Sequence, residues 1–186
     1  MANITDALKD ALSSVVTAAG DVVGTVRKVA KANVVQTVRA GGEVVTTTAD
    51  VASKLVSEGV HAISDAGISL EHGIVGLVSG AIEGVSEVGG DVGSTATAAA
   101  RGAVKSVSQI GGDVGQAAVS AVQGAINGVK TIGGDTGGVA KGAVLGTLQA
   151  ADEIGSEAGG LVRKALLNAV ALPHDVIDAV ITGKTG

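Results

Sequence analysis

The sequence predicts an all-α protein built from elongated amphipathic helices that pack side by side. Two observations carry this prediction: a 22-residue repeat rich in Gly, Ala and Val, and the absence of Phe, Tyr and Trp from a chain of 186 residues. Aromatic side chains normally supply much of the buried area of a globular core. Burial here must come from Val, Ile, Leu and Ala, so we expect thin, repetitive contacts between helices.

The repeat is marked by a glycine pair that begins at Gly89, Gly111 and Gly133, at intervals of 22 residues (111 − 89 and 133 − 111). Repeats of this length are typical of extended, repetitive architectures. The first of the blocks in this frame matches most loosely. The blocks are 43–64, 65–86, 87–108, 109–130, 131–152 and 153–174.

Apolar residues recur within the blocks at steps of three and four, which is the spacing of a helix face and not the alternation of a strand. Six helical turns in 22 residues give about 3.67 residues per turn, the 11-residue period of straight or slightly right-handed supercoiled helices. Polar residues fall on the opposite side of each block. The predicted apolar stripe consists of Ile82, Val85, Val88, Val104, Val107, Ile110, Val114, Val122, Ile126, Val129, Ile132, Val144, Leu148 and Ile154.

The glycines allow two accounts, because glycine inside a helix is unfavourable by about 1 kcal/mol relative to alanine. In one account each Gly-Gly-Asp ends a helix and starts the next, with Asp113 or Asp135 as the N-cap. In the other the helix continues, and glycines let neighbouring backbones approach closely. The apolar stripe keeps its register across each glycine pair, so the sequence favours long continuous helices. A β-solenoid is a third alternative, which the lack of alternation disfavours.

The predicted close-approach surface is a seam of glycines along one helix face. Many of its members are four residues apart, which places them on the same side of a helix. The seam is expected to lie against another helix. Its predicted members are Gly76, Gly80, Gly84, Gly89, Gly93, Gly111, Gly115, Gly124, Gly128, Gly134, Gly138, Gly142 and Gly146.

The chain is expected to contain three segments. They are an N-terminal helical segment (1–42), the repeat region (43–172) and a short C-terminal helix with a tail (173–186). Pro173 should stop the last long helix at or before Leu172, because the residue before a proline disfavours helical geometry.

Four bases form a cluster in the N-terminal segment. Its expected role is a solvated helix face, and contact with anionic lipid headgroups is the alternative. The cluster consists of Arg27, Lys28, Lys31 and Arg39.

No catalytic, cofactor or metal site is predicted, and we expect no enzymatic activity. The glycine-rich runs do not follow a strand of a βαβ unit, as a dinucleotide loop would. The Gly-Lys-Thr at 183–185 is similar to the end of a P-loop, but Asp178 stands where that motif needs a glycine. On a continuous helix His61 and His72 would share one face about 16 Å apart, too far to bind one ion.

Charge and composition limit the partners and the location. A net charge of −5 and the lack of aromatic side chains argue against nucleic acid. No cysteine is present, which excludes thiolate chemistry. No signal peptide is visible, and the longest uncharged stretch, 114–129, is shorter than the roughly 20 apolar residues of a membrane span. The default expectation is a cytoplasmic protein, with extracellular release left open.

Two segments carry a family resemblance through their Gly/Ala/Val/Thr bias and their lack of aromatics. They are EVGGDVGSTATAAARGAVKSV (87–107) and QAAVSAVQGAINGVKTIGG (116–134). These segments resemble the eleven-residue amphipathic repeats of perilipins and synucleins, and the resemblance extends over about residues 43–170. It implies helices that lay an apolar face on a lipid surface.

The sequence supports two functions of different classes. The first is a non-enzymatic structural protein whose glycine-seamed helices assemble with copies of itself into a filament, tube, bundle or shell, since such contacts propagate unless symmetry closes them. The alternative is an amphipathic coat for a lipid droplet, membrane or storage-granule surface. Glycine helps only where a second backbone packs close, which favours copies of the chain over lipid as the partner.

Overall fold

The protein is all-α over the residues that the structure, a computed structural model, describes: 6, 8–12, 21–41 and 47–183. Residues 8–12 are helical. The helices that follow are α1 (Val22–Ala40), α2 (Thr48–Asp65), α3 (Leu70–Glu87), α4 (Val92–Gln109), α5 (Val114–Ile132), α6 (Thr136–Ile154), α7 (Ser156–Asn168) and α8 (His174–Thr182).

One kind of turn recurs between the repeat helices. The N–H of Gly112, for example, donates to the carbonyl of Val107 at 2.9 Å and closes the end of α4. This is the Schellman arrangement, in which one residue takes a left-handed conformation that only glycine adopts without a Cβ penalty. The glycines in that conformation have φ between 70° and 76° and recur every 22 residues: Gly67, Gly89, Gly111 and Gly133.

An aspartate starts the helix after each of three turns. Its carboxylate satisfies a backbone N–H that the helix itself leaves without a partner. Each accepts a hydrogen bond of 3.0 to 3.1 Å from the N–H three residues later: Asp91 from Ser94, Asp113 from Gln116, and Asp135 from Gly138.

The expectation of long continuous helices is therefore wrong. Each Gly-Gly-Asp from Gly89 to Asp135 is a turn between helices of 18 or 19 residues. The apolar stripe keeps its register because every block has the same length and the same turn, so each helix begins again at the same repeat position. His61 and His72 consequently lie on different helices, α2 and α3.

The helices alternate between two layers. Each helix packs most extensively on the helix two places along the chain, so α1, α3, α5 and α7 form one layer and α2, α4, α6 and α8 the other. Neighbours within a layer are parallel: Gly76, Gly80 and Gly84 of α3 lie against Val23, Arg27 and Lys31 of α1 in the same order. This is the organisation of a solenoid, in which each repeat contacts only near neighbours.

The core between the layers consists of Val, Ile, Leu and Ala. Of the predicted apolar stripe, one column lies at the helix ends and is only partly covered: Val88, Ile110 and Ile132 are half-buried, and Ile154 is 38% exposed. The other members are buried: Ile82, Val85, Val104, Val107, Val114, Val122, Ile126, Val129, Val144 and Leu148.

Candidate functional site

The closest helix contacts are made by one glycine in each of four helices, which we call the seam column: Gly80, Gly102, Gly124 and Gly146, at intervals of 22 residues. Each faces a backbone carbonyl of the helix two places earlier. A Cβ built at Gly124 would lie 2.7 Å from the carbonyl oxygen of Val75, and one at Gly102 would lie 3.0 Å from that of Ser53. No larger residue fits at this separation, so the column sets the spacing of the helices within each layer.

Further glycines extend these contacts on both sides of the column. A Cβ at Gly128 would lie 2.9 Å from the carbonyl oxygen of Ser79, and one at Gly142 would lie 3.1 Å from that of Gly93. The buried hydroxyl of Ser79 also donates to the carbonyl of Gly124 at 2.8 Å, which joins α3 to α5 by a hydrogen bond. Gly76 and Gly84 make the equivalent approach to α1.

Several glycines predicted for the seam lie elsewhere. Gly89 and Gly111 have positive φ in the turns, where an added Cβ would meet no atom within 4 Å. Gly134 belongs to a turn and packs on the side chain of Val129. Gly93 and Gly138 stand beside the N-cap carboxylates, and Gly115 lies against α7.

Gly102 is a seam residue that the sequence prediction missed, although it follows Gly80 by one repeat. The spacing was available in the sequence. Its significance was hidden because the prediction sought glycines four residues apart on one continuous helix. The seam column instead takes one position from each repeat, so its members lie on four different helices.

The N-terminal bases lie beside acids of α3, which modifies the expected solvated face. Lys31 and Arg39 both pair with Glu87, at 3.0 and 3.4 Å. Arg27 lies 3.5 Å from Glu83, whose side chain is 7% exposed. These three bases thus join α1 to α3, whereas Lys28 is exposed.

A second ion-pair group joins α4 to α6. Lys105 donates to one carboxylate oxygen of Glu153 at 2.8 Å, and Arg101 pairs with the other oxygen. The hydrogen bond from Lys105, together with the charges of both bases, lowers the pKa of the Glu153 carboxyl below its usual 4.5.

Metal-binding and membrane-spanning features were sought over the described part of the chain. No three His, Asp or Glu side chains come together there in a way that could hold a metal ion. No helix in the same ranges is long and apolar enough to cross a membrane. His72 contacts Ser69 at the start of α3, with Nδ1 3.0 Å from the hydroxyl oxygen.

The two-layer arrangement matches a solved structure, the crystal structure of the de novo designed helical repeat protein DHR7. The TM-score is 0.51 at 14% sequence identity, and the match covers 97% of this chain and 94% of that one. The fold is that of a helical repeat protein. The match supports the helical-repeat part of the family resemblance but identifies no perilipin or synuclein. No protein-family model and no curated protein sequence matches the chain.

Large apolar side chains are exposed at one end of the helical repeat. Ile154 and Leu161 line the same hollow of about 260 Å³, at the junction of α6 and α7. The strongly exposed large apolar residues of the described ranges all fall between residues 145 and 170, which makes this end the candidate interaction surface. They are Leu145, Ile154, Leu161, Leu167 and Val170, with exposures of 43, 38, 50, 40 and 94%.

Proposed function

We propose that this helical repeat protein is a non-enzymatic structural scaffold that associates with copies of itself. The observation that carries the proposal is the concentration of exposed large apolar side chains between residues 145 and 170, on an otherwise well-packed helical repeat. Exposed apolar clusters on folded proteins commonly mark interaction sites. The proposed partner is a second copy of the chain, and nucleic acid is not a proposed partner.

The glycines take a different part in this proposal from the one that the sequence indicates. The seam column is covered by helices of the same chain, so it holds the scaffold together rather than joining separate molecules. Association into a larger filament, tube, bundle or shell would therefore use the remaining exposed surfaces.

The lipid-coat alternative is disfavoured by the position of the apolar stripe. Ten of its fourteen members are buried in the core of the helical repeat. Laying that stripe on a lipid surface would require the two layers to separate, with loss of the core and of the seam contacts. A coat protein of this sequence would gain its helical structure from the lipid.

The test is to purify the full chain without lipid, record its far-UV circular dichroism, and measure its mass by sedimentation across micromolar to millimolar concentrations. We expect a helical spectrum without lipid and an average mass that rises with concentration. A coil that becomes helical only on anionic liposomes would overturn the scaffold in favour of the coat. A helical monomer at every concentration would refute self-association.

A further inference from the structure

The exposed side of α7 carries a short pattern that reads the same in both directions along an antiparallel pair. Glu157, Gly160, Leu161, Lys164 and Asn168 follow one another at steps of one, three and four residues and are all exposed. Residues at such steps lie on one face of a helix. The midpoint between Glu157 and Lys164 falls between Gly160 and Leu161, so the acid and the base stand on opposite sides of a small residue and an apolar one.

Gly160 differs from the glycines of the seam column. A Cβ at Gly124 would collide with the backbone of α3, but a Cβ at Gly160 would meet no atom within 4 Å. Its neighbour Leu161 is 50% exposed and lines the hollow beside Ile154. The centre of this face therefore combines room for a close backbone approach with an uncovered apolar side chain.

Glu157 and Lys164 are charged groups without an ion-pair partner among the described residues. Arg163, next in sequence to Lys164, does have one: it pairs with Asp152 at 3.2 Å. Glu157 and Lys164 are seven residues apart, or about 10.5 Å along the axis, which is too far for them to pair with each other. Each can find its partner on a second, antiparallel α7.

We propose that two copies of the protein form a dimer through α7, with the helices antiparallel about a two-fold axis near Gly160 and Leu161. Glu157 of each copy then faces Lys164 of the other, so one surface supplies two ion pairs. The same two-fold brings the exposed Leu167 of one copy towards Ile154 of the other, because 154 + 167 and 157 + 164 have the same sum. Such a self-complementary contact is isologous and closes at two subunits.

The other edge of this layer is unsuited to the same contact. Counted from the start of each helix, the positions of Gly76, Gly80 and Gly84 in α3 correspond in α1 to Lys28, Ala32 and Gln36. Long polar side chains at two of these positions keep another backbone at a distance. This polar edge resembles the capping surfaces that repeat proteins need to stay soluble.

The interface is small, which sets the strength to expect. The 13 residues of α7 span about 20 Å, and contacts well below 1,200 Å² of total buried surface are weak or transient. We therefore expect a dimer that dissociates in the micromolar to millimolar range. The inference rests on the proposed self-association but specifies a closed dimer and the surface that makes it.

The experiment is sedimentation of the full chain and of charge-reversed variants across that concentration range. Glu157→Lys should weaken the dimer about tenfold, because two attractions become two repulsions of exposed charges. Adding Lys164→Glu should restore it to within about threefold, since the pairs are then reversed in sign. Glu71→Lys is the matched control: it reverses an acid in the first turn of α3, as Glu157 lies in the first turn of α7, and should change little.

Each outcome separates the inference from the proposed function. Association that survives Glu157→Lys, or that the double variant fails to restore, refutes the α7 dimer while leaving self-association in place. An equal loss in Glu71→Lys would assign the effect to net charge and also refute the α7 contact. A wild-type protein that stays monomeric throughout overturns both. Circular dichroism of every variant confirms that α7 and the rest of the helical repeat remain folded.

Discussion

Replacing Gly124 by alanine should destabilise the protein, although alanine is the better helix former. The new Cβ would lie 2.7 Å from the carbonyl oxygen of Val75 and 3.0 Å from Cβ of Val78. These are a backbone atom and the branch point of a side chain, so neither can swing aside. Relief requires α3 and α5 to separate, which also strains the buried hydrogen bond from Ser79 to Gly124.

The magnitude follows from three contributions. Overpacking of this kind costs about 1–3 kcal/mol, and the strained hydrogen bond adds up to about 1 kcal/mol. Alanine gains back about 1 kcal/mol of helix propensity. The free energy of unfolding should therefore fall by about 1–3 kcal/mol.

Gly160→Ala is the matched control, because it makes the same chemical change at a helical position where the added Cβ meets no atom within 4 Å. It should raise the free energy of unfolding by up to about 1 kcal/mol. Both values are measured by urea unfolding, followed by circular dichroism at a concentration where the chain is monomeric. If Gly124→Ala stabilises the protein as Gly160→Ala does, the seam column does not set the helix spacing.

Two further substitutions test the helix starts and the ion pairs. Asp113→Ala removes the N-cap that accepts the N–H of Gln116 at 3.0 Å and should lower the unfolding free energy by about 1 kcal/mol. Asp113→Asn keeps an acceptor and should lose much less; equal losses would show that the cap bond contributes little. Glu153→Gln tests the carboxyl whose pKa Lys105 lowers. A lowered folded-state pKa stabilises above the unfolded value and is lost as pH falls through the folded value. The difference in urea midpoint between wild type and Glu153→Gln should therefore shrink as pH falls below 4.5, and a constant difference would contradict this.

The sequence was sufficient to predict an all-α helical repeat, because the apolar steps of three and four and the 22-residue period both survive in the structure. It misled on helix length for an identifiable reason. A column of apolar residues keeps its register across a turn whenever every turn has the same length. The preserved register from Val107 through Gly111 to Val129 thus fits a continuous helix and a regular array of turns equally well.

The identity of the residues opposite each glycine was beyond the reach of sequence spacing. The need for a second backbone beside Gly124 follows from glycine chemistry, but the helix that supplies it is set by the path of the chain. Two turns return the chain to the same layer, so α5 meets α3 of the same molecule. The local pattern would look the same if α3 belonged to another copy.

The seam itself indicates why self-association needs a different surface. Its central position, the eleventh of each helix, is Gly80 in α3 and Gly146 in α6 but Leu166 in α7. The Leu166 side chain is fully buried and holds α7 further from its neighbour than the seam column holds the preceding helices. The glycine contact is thus not repeated at α7, and Lys28 and Gln36 oppose it at α1. A second copy meets no ready-made seam at either edge, and the exposed face around Leu161 is the surface left for it to contact.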